Sequence, residues 1–149
     1  MDIKSQQERS KNMAAIRSRN TSPELYLRKL LFARGYRYRV NVSNIPGHPD
    51  LYLRKYNTAV FVNGCFWHRH EGCRFAYTPK SRVEFWQKKF EANTRRDMQV
   101  RAELEERGIR RLVVWECAIR QMKKKPELCG AYLEQVEDFL KGEEMEREM

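Results

Sequence analysis

The sequence predicts an α/β protein, a mixed central sheet covered by helices. Three observations carry that prediction. Residues 58–62 and 109–115 are short apolar runs with the β-branched content of buried strands. Residues 22–35, 82–107 and 126–140 show helical spacing of apolar side chains around those runs. The length, 149 residues, suits one core and is short for two.

The elements follow in order. Residues 4–19 interleave Lys4, Arg9, Lys11, Arg17 and Arg19 with Met13 and Ile16, the pattern of a short helix with a basic face. Asn20-Thr-Ser-Pro-Glu24 reads as a helix start, with Ser22 as cap, Pro23 in the first turn and Glu24 near the positive helix end. Leu27, Leu30 and Leu31 face inward, and Gly35 stops the helix. Tyr36-Arg-Tyr-Arg-Val40 alternates as a half-buried strand does. Residues 41–49 hold Asn, Ser, Pro and Gly and form a loop. A strand over 51–56 turns at Asn57 and returns over 58–62 as a central strand.

Residues 63–80 are a loop. Residues 82–107 show helical spacing, with Val83, Trp86, Phe90, Asp97, Val100 and Leu104 on a densely charged background, and Gly108 ends that helix. Strand 109–115 follows, then a helix from Pro126 with Leu128, Tyr132, Leu133, Val136, Phe139 and Leu140 on its apolar face. The order is α, α, β, β, β, α, β, α. The expected division is a basic N-terminal arm or helix over 1–20, one folded domain over 21–142, and an acidic tail over 143–149, read as a solvated helix end.

Charge is unevenly spread. Residues 1–60 and 61–125 each carry a balance of +8, while residues 126–149 carry −6. A basic body with a pI near 9.7 fits a polyanion, most simply nucleic acid. No apolar run is long enough to cross a bilayer, and the polar N-terminus is no secretory signal. The expected location is therefore cytoplasmic and nucleoid-associated, where thiols stay reduced.

Two clusters carry chemistry. Cys65, His70 and Cys73 follow a C-x4-H-x2-C spacing that suits one tetrahedral ion, expected to be structural Zn²⁺. Cys117, at the expected end of strand 109–115, is the candidate fourth ligand, and Cys129 is left over as a buried thiol on the last helix. The second cluster centres on Asp50, where the loop Pro46-Gly-His-Pro49 enters a strand. Asp is a poor strand former, and a carboxylate there suits Mg²⁺. Glu24, His48, Asn63 and His68 are the residues expected to gather beside it. A hairpin of strands 51–56 and 58–62 would set Asp50 next to Val62 and Asn63. His68 is the loop histidine outside the zinc set, suited to acid–base work. Phe66, Trp67 and Trp86 place large rings near that loop, as in proteins that wedge apart a base stack.

Six motifs in order resemble the very short patch repair (Vsr) DNA mismatch endonucleases. They are Arg9-Ser-Lys-Asn-Met13, Asn20-Thr-Ser-Pro-Glu24, Ile45-Pro-Gly-His-Pro-Asp50, Phe61-Val-Asn-Gly-Cys-Phe-Trp-His68, Glu84-Phe-Trp86 and Val114-Trp-Glu-Cys117. The resemblance implies a fold like that of restriction endonucleases of the PD-(D/E)xK type, with a structural zinc. It implies Mg²⁺-dependent nicking 5′ of the thymine in a T:G mismatch, the lesion left when 5-methylcytosine deaminates. Asp50 matches the essential metal-binding acid, His68 the catalytic histidine and Glu24 a supporting acid, with the Val62 carbonyl a second Mg²⁺ ligand. Cys65, His70, Cys73 and Cys117 match the zinc ligands. Phe66, Trp67 and Trp86 match the wedging rings, and Lys11, Asn12 and Arg17 fall in the DNA-contacting arm. The partner is duplex DNA with a T:G mismatch. A monomer fits that asymmetric substrate, and repair helper proteins leave no signature.

Three positions depart from the family pattern. Asn63 stands where a His is common, Val62 where Thr is common, and Glu71-Gly72 lengthens the last ligand spacing by one. An amide cannot shuttle a proton near neutral pH. Two other readings stay open: a zinc-stabilised mismatch-binding module with weak or lost catalysis, and a restriction-like duplex nuclease.

Overall fold

The computed structural model describes residues 20–149. The helix expected over 4–19, and with it Lys11, Asn12 and Arg17, lies outside the described residues. Among the described residues, five strands form one sheet in the order β1 (Arg39–Val40), β2 (Leu51–Leu53), β3 (Thr58–Asn63), β4 (Arg110–Trp115) and β5 (Glu146–Glu148). The β1–β2 and β2–β3 pairs are antiparallel, and β3–β4 and β4–β5 are parallel. The helices are α1 (Ser22–Ala33), α2 (Val83–Glu106), α3 (Glu116–Lys124) and α4 (Pro126–Lys141). The protein is thus a mixed α/β structure whose central sheet is flanked by helices. No helix among the described residues is long and apolar enough to cross a membrane.

The alternation of side chains along β3 and β4 sorts the core into two faces. On one, Val60, Leu112 and Val114 meet Leu27 and Leu31 of α1, Ile119 and Met122 of α3, and Leu133, Val136 and Phe139 of α4. On the other, Ala59 and Phe61 meet Val100 and Leu104 of α2 together with Val42 and Ile45 of the loop. Leu27, Leu31, Leu112 and Phe139 are fully buried, and each such side chain is worth roughly 1.5–3 kcal/mol in burial alone. Arg110 closes α4 by donating to the carbonyls of Leu140 (3.0 Å), Phe139 and Glu144, with its guanidinium 4.4 Å from the Phe139 ring centre. The bond to Leu140 satisfies a carbonyl in the last turn, where the helix end leaves such groups without an intrahelical partner.

Several expectations need correction. Ser22 is inside α1, not its cap; its hydroxyl accepts from Lys123 Nζ at 3.0 Å, and Glu24 Oε2 reaches back to the Asn20 N–H at 2.7 Å. The strand expected over 36–40 is only Arg39–Val40, and both residues are exposed. Tyr36 and Tyr38 instead anchor to helices, through Glu137 (3.1 Å) and the Arg28 carbonyl (2.9 Å). The strand expected over 51–56 ends at Leu53, and Arg54–Tyr56 form a 3-10 turn. Helix α3 was not expected, because its buried positions are few: Ala118, Ile119 and Met122. The acidic end is not a solvated helix end. It forms β5, held by the Arg111 N–H to Met145 carbonyl bond (2.8 Å), by Met149 N–H to Val113 carbonyl (2.9 Å) and by Glu146 pairing with Arg101.

Candidate active site and metal centre

The β2–β3 hairpin pairs Leu51 with Val60 and so brings Asp50 beside Val62. The Val62 N–H donates to Asp50 Oδ2 at 2.6 Å. A tight turn delivers Asp50 to this place: the His48 N–H donates to the Ile45 carbonyl at 3.0 Å, with Pro46 and Gly47 between them. Gly47 has φ +81°, the left-handed value that the third position of a type II turn requires. A Cβ there would come within 2.6 Å of Val100 Cγ1 and 2.9 Å of Phe61 Cε1. The turn is therefore packed directly on α2 and β3.

Burial pushes the Asp50 carboxyl up from 3.8 to about 7. The Val62 N–H and Arg28 oppose that shift, and the nearby Glu24 carboxylate adds to it. Glu24 is itself only 3% exposed and accepts from Arg28 Nη2 at 3.3 Å. Among the described residues, these two acids share one buried region with the Arg28 guanidinium, an acid pair that a divalent cation would suit.

Asp50 opens on a cleft of about 890 Å³ whose walls include Glu24, His48, Val62, Asn63 and His68. All the residues expected to gather near Asp50 line this one space. His68 Nδ1 lies 2.7 Å from Asp97 Oδ2, on α2. A carboxylate only accepts, so this contact puts the Nδ1 proton on the ring and leaves Nε2 as the basic nitrogen. Asp97 was not among the expected site residues. Its signal was an acid standing on the apolar stripe of α2, between Phe90 and Val100.

The sulfurs of Cys65, Cys73 and Cys117 and a ring nitrogen of His70 all lie within 4.8 Å of one another. This group can hold a metal ion. Cys117 sits in the first turn of α3, just past the strand end where it was expected, because Glu116 already begins the helix. Gly72, at φ +72°, makes the turn that returns Cys73 to the group, and the His70 ring stacks on Trp115 at 4.0 Å. Burial pushes the Cys65 thiol up to about 12 and the Cys117 thiol upward as well. Burial also raises Cys73, but the Phe75 N–H and the neighbouring thiols outweigh it and hold Cys73 below its ordinary value. Cys129 stands apart, half-buried on α4, its sulfur 3.7 Å from the Tyr26 hydroxyl.

Phe66, Trp67 and Trp86 form one cluster of half-buried rings rather than part of the main core. Phe66 is its hub, with ring centres of Trp67, Tyr77, Trp86 and Phe90 at 5.1, 5.1, 5.5 and 5.2 Å. Tyr77 and Phe85 are exposed at its edge, and Lys89 lies 5.4 Å over the Trp67 ring. The Trp67 carbonyl accepts from Asn93 of α2 at 3.2 Å.

Comparison with known proteins agrees with these motifs. The family profile described as DNA mismatch endonuclease Vsr matches residues 1–74. The DNA mismatch endonuclease Vsr of Escherichia coli (strain K12) is 39% identical over 142 residues, spanning 95% of this chain and 89% of that protein. The type II nicking enzyme V.NmeAIP of Neisseria meningitidis serogroup A is 44% identical over 119 residues, 80% of this chain and 84% of that one. The type II nicking enzyme V.XorIIP of Xanthomonas oryzae pv. oryzae is 44% identical over 110 residues, 74% and 80% of the two chains.

Proposed function

The chain belongs to the Vsr family of DNA mismatch endonucleases, and from that premise we propose that it nicks one strand of duplex DNA 5′ of the thymine in a T:G mismatch by Mg²⁺-dependent hydrolysis. The endonuclease assignment itself rests on the family and on the related nicking enzymes. The observation that carries the finer reading is the shared cleft, with a buried acid pair at one wall and a carboxylate-held histidine at another.

Asp50 and the Val62 carbonyl would hold Mg²⁺. The Val62 N–H already donates to the Asp50 carboxylate, which sets the two residues side by side. When bound there, Mg²⁺ polarises a phosphodiester and lowers the pKa of bound water. Glu24 backs Asp50 as the second acid.

The protein's own groups do the rest. His68 Nε2 moves a proton at the reacting oxygen, and Asp97 holds the ring in the tautomer that permits it. Asn63 lines the same cleft and can donate or accept a hydrogen bond without exchanging a proton. Phe66, Trp67 and Trp86 enter the base stack beside the mismatch, where unstacking costs roughly a few kcal/mol per step. Cys65, His70, Cys73 and Cys117 hold a structural Zn²⁺, since three thiols and one imidazole suit a soft tetrahedral ion. It fixes the loop between β3 and α2, which carries His68, Phe66 and Trp67, while Trp86 stands on α2 itself.

The parallel β3–β4 pair beside an antiparallel hairpin supports a restriction-endonuclease-like fold for a domain that takes in β5 beyond the expected 21–142. The protein acts as a monomer, with the N-terminal arm, including Lys11, Asn12 and Arg17, on the DNA. Asp50→Asn tests the assignment: nicking is lost while mismatch binding survives. Nicking that persists in this variant removes Asp50 from the metal site.

A further inference from the structure

Arg69 sits between His68 and the metal-cluster residue His70, in a loop that meets DNA if the proposed function holds. An arginine in such a place is the obvious candidate for a phosphate contact. The side chain points elsewhere. Its Nη1 donates to the carbonyls of Phe66 (3.2 Å) and Tyr77 (3.0 Å), and its Nη2 to the Ala76 carbonyl (2.8 Å) and Thr78 Oγ1 (3.4 Å). The guanidinium carbon lies 3.9 Å from the Phe90 ring centre and 5.8 Å from that of Phe66. The residue holds φ at +52°, a left-handed conformation that side chains rarely adopt.

From this geometry we infer that Arg69 is a positioning residue for mismatch recognition, a clip that pre-sets the aromatic wedge before DNA arrives. Phe66 belongs to the outgoing limb of the loop, and residues 76–78 to the returning limb beyond Cys73. One planar group bonds carbonyls on both limbs, so it fixes their separation. The same plane lies over Phe90, the buried helix residue on which the wedge rests. The fork geometry of Arg explains the choice of residue: its donors lie in one plane and meet several acceptors at once. A lysine ammonium is a compact charge that cannot span them. A loop already set in its bound shape loses less conformational freedom when it enters the base stack. Arg69 therefore acts on the preference for mismatched over paired DNA and adds little to the general attraction for phosphate.

The inference rests on the wedge reading, and its test separates the two. R69K keeps the charge and removes the fork. R69Q removes the charge. Trp67→Ala serves as the control for the wedge. For each, the affinity for a T:G duplex and for its paired counterpart is measured across salt concentrations, with metal content checked to show that the loop is still loaded. The expected result is a fall of about tenfold or more in mismatch preference for both R69K and R69Q, with the salt slope of the wild type retained.

A salt slope reduced by about one in R69Q, with preference unchanged, makes Arg69 a phosphate contact and overturns the inference. Unchanged preference in both Arg69 variants while Trp67→Ala loses it overturns the clip and spares the wedge. Unchanged preference in all three overturns both. Should the Arg69 variants fail to fold, Phe90→Leu withdraws the ring beneath the guanidinium and leaves the carbonyl bonds. It is expected to weaken mismatch preference with the salt slope intact, and full preference in that variant counts against the clip.

Discussion

The carboxylate of Asp97 lies 2.7 Å from Nδ1 of His68, so the longest helix sets the orientation of a histidine carried by the loop. Asp97→Asn keeps the side-chain shape but lets the amide favour the other tautomer. Nicking under single-turnover conditions is expected to fall roughly hundredfold or more, with DNA affinity unchanged. A rate close to wild type contradicts the role given to this pair.

Asp50 predicts a pH dependence of stability. Its carboxyl is raised by burial from 3.8 to about 7, so between those values the folded chain keeps a proton that the unfolded chain has lost. Stability from this group is full below about pH 4 and falls as pH rises through 7. Asp50→Asn removes that cost. In EDTA, the variant should match the wild type near pH 4 and exceed it at pH 8, by up to about 4 kcal/mol. Urea unfolding at the two pH values reads the difference, and a variant that is less stable at pH 8 contradicts the buried-charge account.

Cys117 links α3 to the loop after β3 through the metal cluster. Cys117→Ser is expected to lower bound zinc well below one equivalent per chain and to reduce the melting temperature, because metal binding contributes directly to folding. Acidification should release the metal from the wild type, since the Cys65 and Cys117 thiols are pushed upward by burial and protons compete for them. Full zinc retention in the Ser variant removes Cys117 from the ligand set.

Gly47 tests how Asp50 is delivered. A methyl group there meets Val100 and Phe61 at under 3 Å and must hold φ near +81°. Gly47→Ala should cost about 1–3 kcal/mol of stability and slow nicking by moving the turn that precedes Asp50. Wild-type unfolding curves with wild-type rate would mean that the loop relaxes without disturbing the acid.

Much of this was legible in the chain. The apolar runs marked β3 and β4, because their buried stretches, residues 58–60 and 112–115, need no polar alternation. The C-x4-H-x2-C spacing anticipated three of the clustered side chains, and the hairpin argument placed Asp50 beside Val62. What stayed hidden was set by tertiary contacts. Glu146–Glu148 has no strand propensity, and it pairs because Arg101 and β4 receive it. Arg69 looks like an ordinary surface charge, and the acid that Asp97 sets on the apolar stripe of α2 finds its partner only when the loop folds over the helix. Tyr36 and Tyr38 alternate as strand residues do, yet their hydroxyls are claimed by helices.

The most direct test of the central claim is a nicking assay on a duplex with one central T:G mismatch, each strand labelled in turn, with Mg²⁺ or EDTA. The account predicts a single Mg²⁺-dependent nick on the 5′ side of the mismatched thymine and none in the fully paired duplex. Equal cutting of paired DNA, or a nick that persists in EDTA, contradicts it.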